Sequence, residues 1–88
     1  MTPFFKLQIT TPQGQEYAGE VVHARIPVED GSVGVLANHA AYITVSAPGL
    51  CLLRERDGQE HSVKVGRGFF TVAKNEAMLL TQSFEKAG

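Results

Sequence analysis

The chain has 88 residues, 43% of them hydrophobic and 19% charged, which makes a single globular domain over 1–88 and excludes a disordered chain. Its net charge is −1, and acids are interspersed among Arg54, Arg56, Lys64 and Arg67, so no concentrated basic face exists to bind nucleic acid. Cys51 is the one cysteine, so no intrachain disulfide forms and a reducing compartment fits; no run approaches the ~20 apolar residues of a membrane span.

Period-two patterning dominates in chain order. Phe5, Leu7 and Ile9 alternate with Lys6, Gln8 and Thr10, which predicts a half-buried strand. Pro12-Gln13-Gly14 predicts a turn, and Gln15 to Gly19 a short return strand. Val22, Ala24, Ile26 and Val28 then share one face, with Val21, His23, Arg25 and Pro27 on the other. Pro27 lacks an N–H and places the end of that strand at a sheet edge. Glu29-Asp30-Gly31 is a turn, followed by strands over Ser32 to Leu36 and Tyr42 to Ser46 and a break at Ala47-Pro48-Gly49.

Asp57-Gly58 predicts a hairpin with a two-residue loop pairing Arg56 with Gln59. That register sets Leu50 opposite Val65 and Leu52 opposite Val63, with Cys51, Leu53, Ser62 and Lys64 on the other face. Arg67 to Ala73 forms a strand with Phe69 and Phe70 on opposite faces. After a turn at Lys74-Asn75-Glu76, Ala77 to Ser83 is the last strand, with Met78 and Leu80 on one face and Leu79 on the other; Glu85 to Gly88 fray. No segment has a helical period. The expectation is all-β: a small two-layer antiparallel β-sandwich of about eight to ten short strands.

Chemistry is sparse. His23, His39 and His61 have no partner at metal-ligand spacing, and no nucleophile elbow occurs. Gly31, Gly34, Gly66 and Gly68 precede no helix and make no phosphate loop. No catalytic residue, metal site, nucleotide site or cofactor is expected. Glu76-Ala77-Met78 opens like the lysine hairpin of biotin carrier domains, but Leu79 stands where the modified lysine would be. Cys51, between Leu50 and Leu52, reads as a small strand residue. His39 reads as a brace for the irregular backbone at Asn38 to Ala40, with a contact role compatible.

The segment Gly31, Gly34, Val35, His39, Ala40, then Tyr42 to Ser46, then Pro48-Gly49, resembles the signature of the epsilon subunit of F-type ATP synthases. Tyr17-Ala18-Gly19, Val21 to Val28, Arg54 to His61 and the run Gly66 to Val72 extend the resemblance over nearly the whole chain. Asn38 replaces a glycine of the pattern, Ala41 a proline, and Arg67 one of two paired glycines. Typical members continue into a C-terminal pair of helices that can inhibit hydrolysis; the resemblance covers only the sandwich, and the expectation is a short form without that regulation.

The resemblance implies a non-catalytic rotor subunit of the central stalk, coupling ion translocation to ATP synthesis. It implies gamma and the ring of membrane c subunits as partners. It implies a peripheral position on the cytoplasmic face of an energy-transducing membrane, a bacterial inner membrane, reached only through partner subunits. The ring-facing end maps onto Glu29, Asp30, Ser32 and His39, and the gamma-facing surface onto Thr11 and Thr44. Gly31, Gly34, Pro48 and Gly49 shape the loops. The alternative is a free-standing β-sandwich that binds a small molecule or protein; it wants an exposed aromatic platform, and the Phe and Tyr residues sit mostly at core-compatible positions.

Overall fold

In a computed structural model, which describes residues 2–87, nine strands form one continuous sheet folded over on itself. They are β1 (Phe5–Thr11), β2 (Gly14–Val28), β3 (Gly31–Leu36), β4 (Tyr42–Ser46), β5 (Gly49–Glu55), β6 (Glu60–Val65), β7 (Gly68–Ala73), β8 (Glu76–Thr81) and β9 (Phe84–Lys86). The order is β4-β7-β8-β1-β2-β5-β6-β9, with β3 added on β2. Neighbours are antiparallel except β1 and β8, which run parallel, a departure from the all-antiparallel expectation.

The fold turns on β2. Its first half pairs with β1 and its second half with β3 and β5, so one long strand belongs to both layers. Expected as two pieces, it runs unbroken for 15 residues. A bulge between Val21 and His23 breaks the alternation, so Val21 and Ala24 both point inward. That bulge is why Val21 joins the core rather than the face of His23 and Arg25. Pro27 has a strand neighbour on one side only, so the end of β2 is a sheet edge as expected. It pairs with Ser32, and its carbonyl accepts the Ala47 N–H at 2.9 Å. The ladder with β5 ends at Arg25, so no ladder bond needs the missing proline N–H.

The core between the layers joins Phe5, Leu7, Ile9, Phe70 and Leu79 of one layer to Ile26, Cys51, Leu53 and Val63 of the other. Inward rows alternate with outward ones as predicted for β1, β7 and β8.

The β5–β6 hairpin departs from expectation by one residue. Gly58 N–H donates to the Glu55 carbonyl at 2.9 Å, and Glu55 N–H to the Gln59 carbonyl at 2.8 Å. Gly58 takes φ +93° while Asp57 has no positive φ, so the loop holds three residues, a turn closed by a glycine bulge. Cys51 therefore faces Val63 and Leu53 faces His61, and these carry the core side; Leu50 and Leu52 turn outward. Glu85 to Ala87, expected to fray, are held: β9 pairs with β6, and Ala87 N–H donates to the Ser62 carbonyl at 2.9 Å; Gly88 lies outside the described residues.

Candidate functional site

The outer side of the β4-β7-β8-β1 layer is apolar. Cross-strand pairing aligns Val45, Phe69, Leu80 and Thr10 in one row and Ile43, Thr71, Met78 and Gln8 in the next. These side chains lie opposite the core rows, so folding leaves them in water: Ile43 is 69% exposed, Phe69 56% and Leu80 46%. Five large apolar residues on one face form a contiguous patch of the kind that marks an interaction surface. An open groove, lined by Val45, Phe69 and Leu80 with Thr10, Pro12 and Arg67 at its margins, runs along one end of it.

These residues were absent from the site expected from sequence, although a signal existed. β7 and β8 are apolar in both period-two phases, and only one phase can be used by the core. The aromatic residues sit mostly at buried or half-buried positions as expected, with Phe69 and Tyr42 the exposed exceptions.

The structure puts Thr11 and Thr44 beside this face rather than on it. Thr11 is 8% exposed. Its hydroxyl donates to Glu16 at 2.8 Å and accepts the Gln13 N–H at 3.2 Å, so it closes the β1–β2 turn and offers the groove only a wall. Thr44 pairs with Phe70, on the inward row of β4; its neighbours Ile43 and Val45 are the outward ones.

A second feature is the acidic β2–β3 tip. Val28 pairs with Gly31, leaving Glu29 and Asp30 as the exposed turn. Gly31 takes φ +138°, which side-chain-bearing residues rarely adopt. Neither acid joins an ion pair among the described residues, whereas Glu20 and Glu60 hold Arg56 and Arg54. Ser32 is exposed next to the tip, opposite Pro27. Gly49 packs on Pro27, where an added Cβ would sit 3.1 Å from the proline Cβ, so Pro48-Gly49 lies against the base of the tip. Gly34 meets no such demand: a Cβ there would stand 3.7 Å from His23 Nε2, an ordinary contact.

His39 is not brought to the tip. All of β3 lies between them, about 17 Å at the usual rise per residue. His39 Nδ1 bonds the Ala40 carbonyl oxygen at 2.7 Å, and its ring meets Tyr42 edge-to-face at 6.0 Å. Beside it, Asn38 and Asn75 hold each other. Asn38 N–H donates to Asn75 Oδ1 at 2.6 Å, and Asn75 Nδ2 donates to Asn38 Oδ1 at 3.0 Å. Both have positive φ, 64° and 60°. The pair ties the β3–β4 loop to the β7–β8 turn, and His39 is a brace within that loop.

The groups with shifted protonation equilibria are structural. Burial, then a hydrogen bond to Glu55 at 2.7 Å, pushes the Tyr17 phenol above its ordinary range. His61 Nε2 lies 3.2 Å from the other Glu55 oxygen, so Tyr17, Glu55 and His61 tie β2 to the β5–β6 hairpin. Burial pushes the Cys51 thiol up to about 12, which makes it inert rather than nucleophilic.

A family model described as the β-sandwich domain of the ATP synthase delta/epsilon chain matches residues 4–87. The ATP synthase epsilon chain of a Nitratiruptor species is 34% identical over 77 residues, covering 88% of this chain and 60% of that one. The epsilon chain of Chlorobium limicola is 37% identical over 78 residues, 89% of each chain. The chain thus spans about 60% of the length of several curated relatives it matches. Two solved assemblies contain chains of similar fold. One is the Euglena gracilis mitochondrial ATP synthase, in a structure of OSCP, F1 and c-ring (TM-score 0.85, 22% identity, 91% of this chain and 51% of that one). The other is the Tetrahymena thermophila mitochondrial ATP synthase central stalk and c-ring (TM-score 0.74, 13% identity, 90% of this chain and 63% of that one).

Proposed function

The chain belongs to the ATP synthase delta/epsilon family through its β-sandwich domain, and from that membership we propose that it is a non-catalytic central-stalk subunit of an F-type ATP synthase. It turns with the rotor, linking gamma to the c-ring and coupling ion translocation to ATP synthesis. It works as a peripheral protein on the cytoplasmic face of a bacterial inner membrane, held there by its partners. Among the described residues no helix is long and apolar enough to cross a membrane.

One observation carries the reading: the exposed apolar face of β4, β7 and β8. Gamma seats on that face, across Val45, Phe69, Met78 and Leu80, with Thr11 and Thr44 at its margin. The c-ring meets the other feature, the tip at Glu29, Asp30 and Ser32, where unpaired acids suit basic loops between membrane helices. His39 supports the adjoining β3–β4 loop from the far end of β3. A closely packed two-layer sandwich suits a part that transmits torque without deforming.

The test is binding of the purified chain to isolated gamma. The reading expects a Kd of about 1 μM or tighter. With Glu29→Ala and Asp30→Ala together, gamma binding persists while retention on a c-ring complex weakens. Absence of gamma binding at micromolar concentration overturns the reading.

A further inference from the structure

Arg67 is the one charged residue lining the apolar groove. It is exposed and joins no ion pair among the described residues, whereas Arg54 and Arg56 each hold a glutamate at 2.9 Å. Its backbone is fixed, since its carbonyl accepts the Gln82 N–H at 3.1 Å, but its guanidinium is not engaged.

A partner that covers Val45, Phe69 and Leu80 also strips water from beside this guanidinium. A charge desolvated without an opposite charge opposes docking, and a planar guanidinium is matched best by a carboxylate that takes two of its hydrogen bonds. We propose that Arg67 is a specificity-determining contact: the partner on the apolar face places an Asp or Glu opposite Arg67, beside the apolar side chain that fills the groove. This rests on the reading that gamma docks on this face. A partner that lacks that carboxylate is disfavoured.

The experiment measures binding of purified gamma to the full chain and to Arg67→Glu, Arg67→Gly and Phe69→Asp at low and physiological salt. Arg67→Glu raises Kd by about tenfold or more, and Arg67→Gly raises it less and flattens its salt dependence. Reversing the facing acid of gamma to Lys restores binding to Arg67→Glu. The thermal midpoint of Arg67→Glu matches the parent, because the side chain is exposed. If Arg67→Glu binds as the parent does while Phe69→Asp abolishes binding, the carboxylate assignment is overturned and the docking face stands. If Phe69→Asp binds like the parent, the docking reading fails, and this assignment with it.

Discussion

Replacing each of two adjacent phenylalanines by alanine separates the inner from the outer face of β7. Phe70 is 0% exposed and pairs with Leu79 in the core, whereas Phe69 is 56% exposed between Val45 and Leu80. Truncating a fully buried phenylalanine costs about 3–5 kcal/mol, the transfer term plus the cavity. Phe69→Ala loses cross-strand contacts of about 0.2–1 kcal/mol each, near 1 kcal/mol in sum. At ~0.05–0.15 kcal/mol per residue, an 88-residue domain has about 4–13 kcal/mol in total. Phe70→Ala thus removes about a quarter or more of the stability or unfolds the chain. In melts followed by circular dichroism, Phe69→Ala shifts the midpoint by about 4–8 °C, and Phe70→Ala by about 12 °C or more. Equal shifts for the two would refute the assignment of one face to the core and the other to a partner.

Three further outcomes follow from local geometry. Gly68→Ala forces a Cβ onto the Leu80 carbonyl at the end of the β7–β8 ladder, where Gly68 pairs with Thr81; urea titration shows a loss of about 2 kcal/mol or more. Asn75→Ala loses the bonds to Asn38 and strains a φ of +60°, whereas Asn75→Gly loses only the bonds. Alanine therefore costs about 1 kcal/mol more than glycine in the same titration. For Cys51 the folded thiol is raised to about 12 from 9.0. Its stabilisation is fully present below pH 9 and is lost as pH rises toward 12, at up to about 1.4 kcal/mol per pH unit. Cys51→Ala removes that slope, which is read as a shrinking difference between parent and variant urea curves above pH 9.

Strand existence and facing were legible wherever alternation was clean. Phe69 and Phe70, and Met78, Leu79 and Leu80, fall on the faces that period two assigns. Where the backbone departs from alternation, pattern alone goes astray. The bulge at Val21/His23 shifts β2 by half a period, and a three-residue loop at Asp57-Gly58 slips β5 by one residue, which flips each side chain. Both depend on φ and ψ choices that composition does not specify. Asp57-Gly58 serves a two-residue or a three-residue loop equally well.

The candidate site was legible in part. The acidic turn at Glu29 and Asp30 is exposed and joins no ion pair among the described residues. His39 belonged to the same sequence signature, yet an intervening strand carries it to the far end of β3. Nearness in a motif is not nearness in space when the motif is extended chain. The apolar face was not legible because Ile43, Val45, Phe69, Met78 and Leu80 are the same residue types that fill the core. Pattern does not distinguish a side chain buried by its own domain from one awaiting a partner.

Radical footprinting of the chain, alone and with gamma, tests the docking claim most directly. The account predicts protection at Ile43, Val45, Phe69, Met78 and Leu80, with Leu50 and Leu52 on the opposite layer still accessible. Protection of Leu50 and Leu52, with Phe69 and Met78 left open, would contradict it.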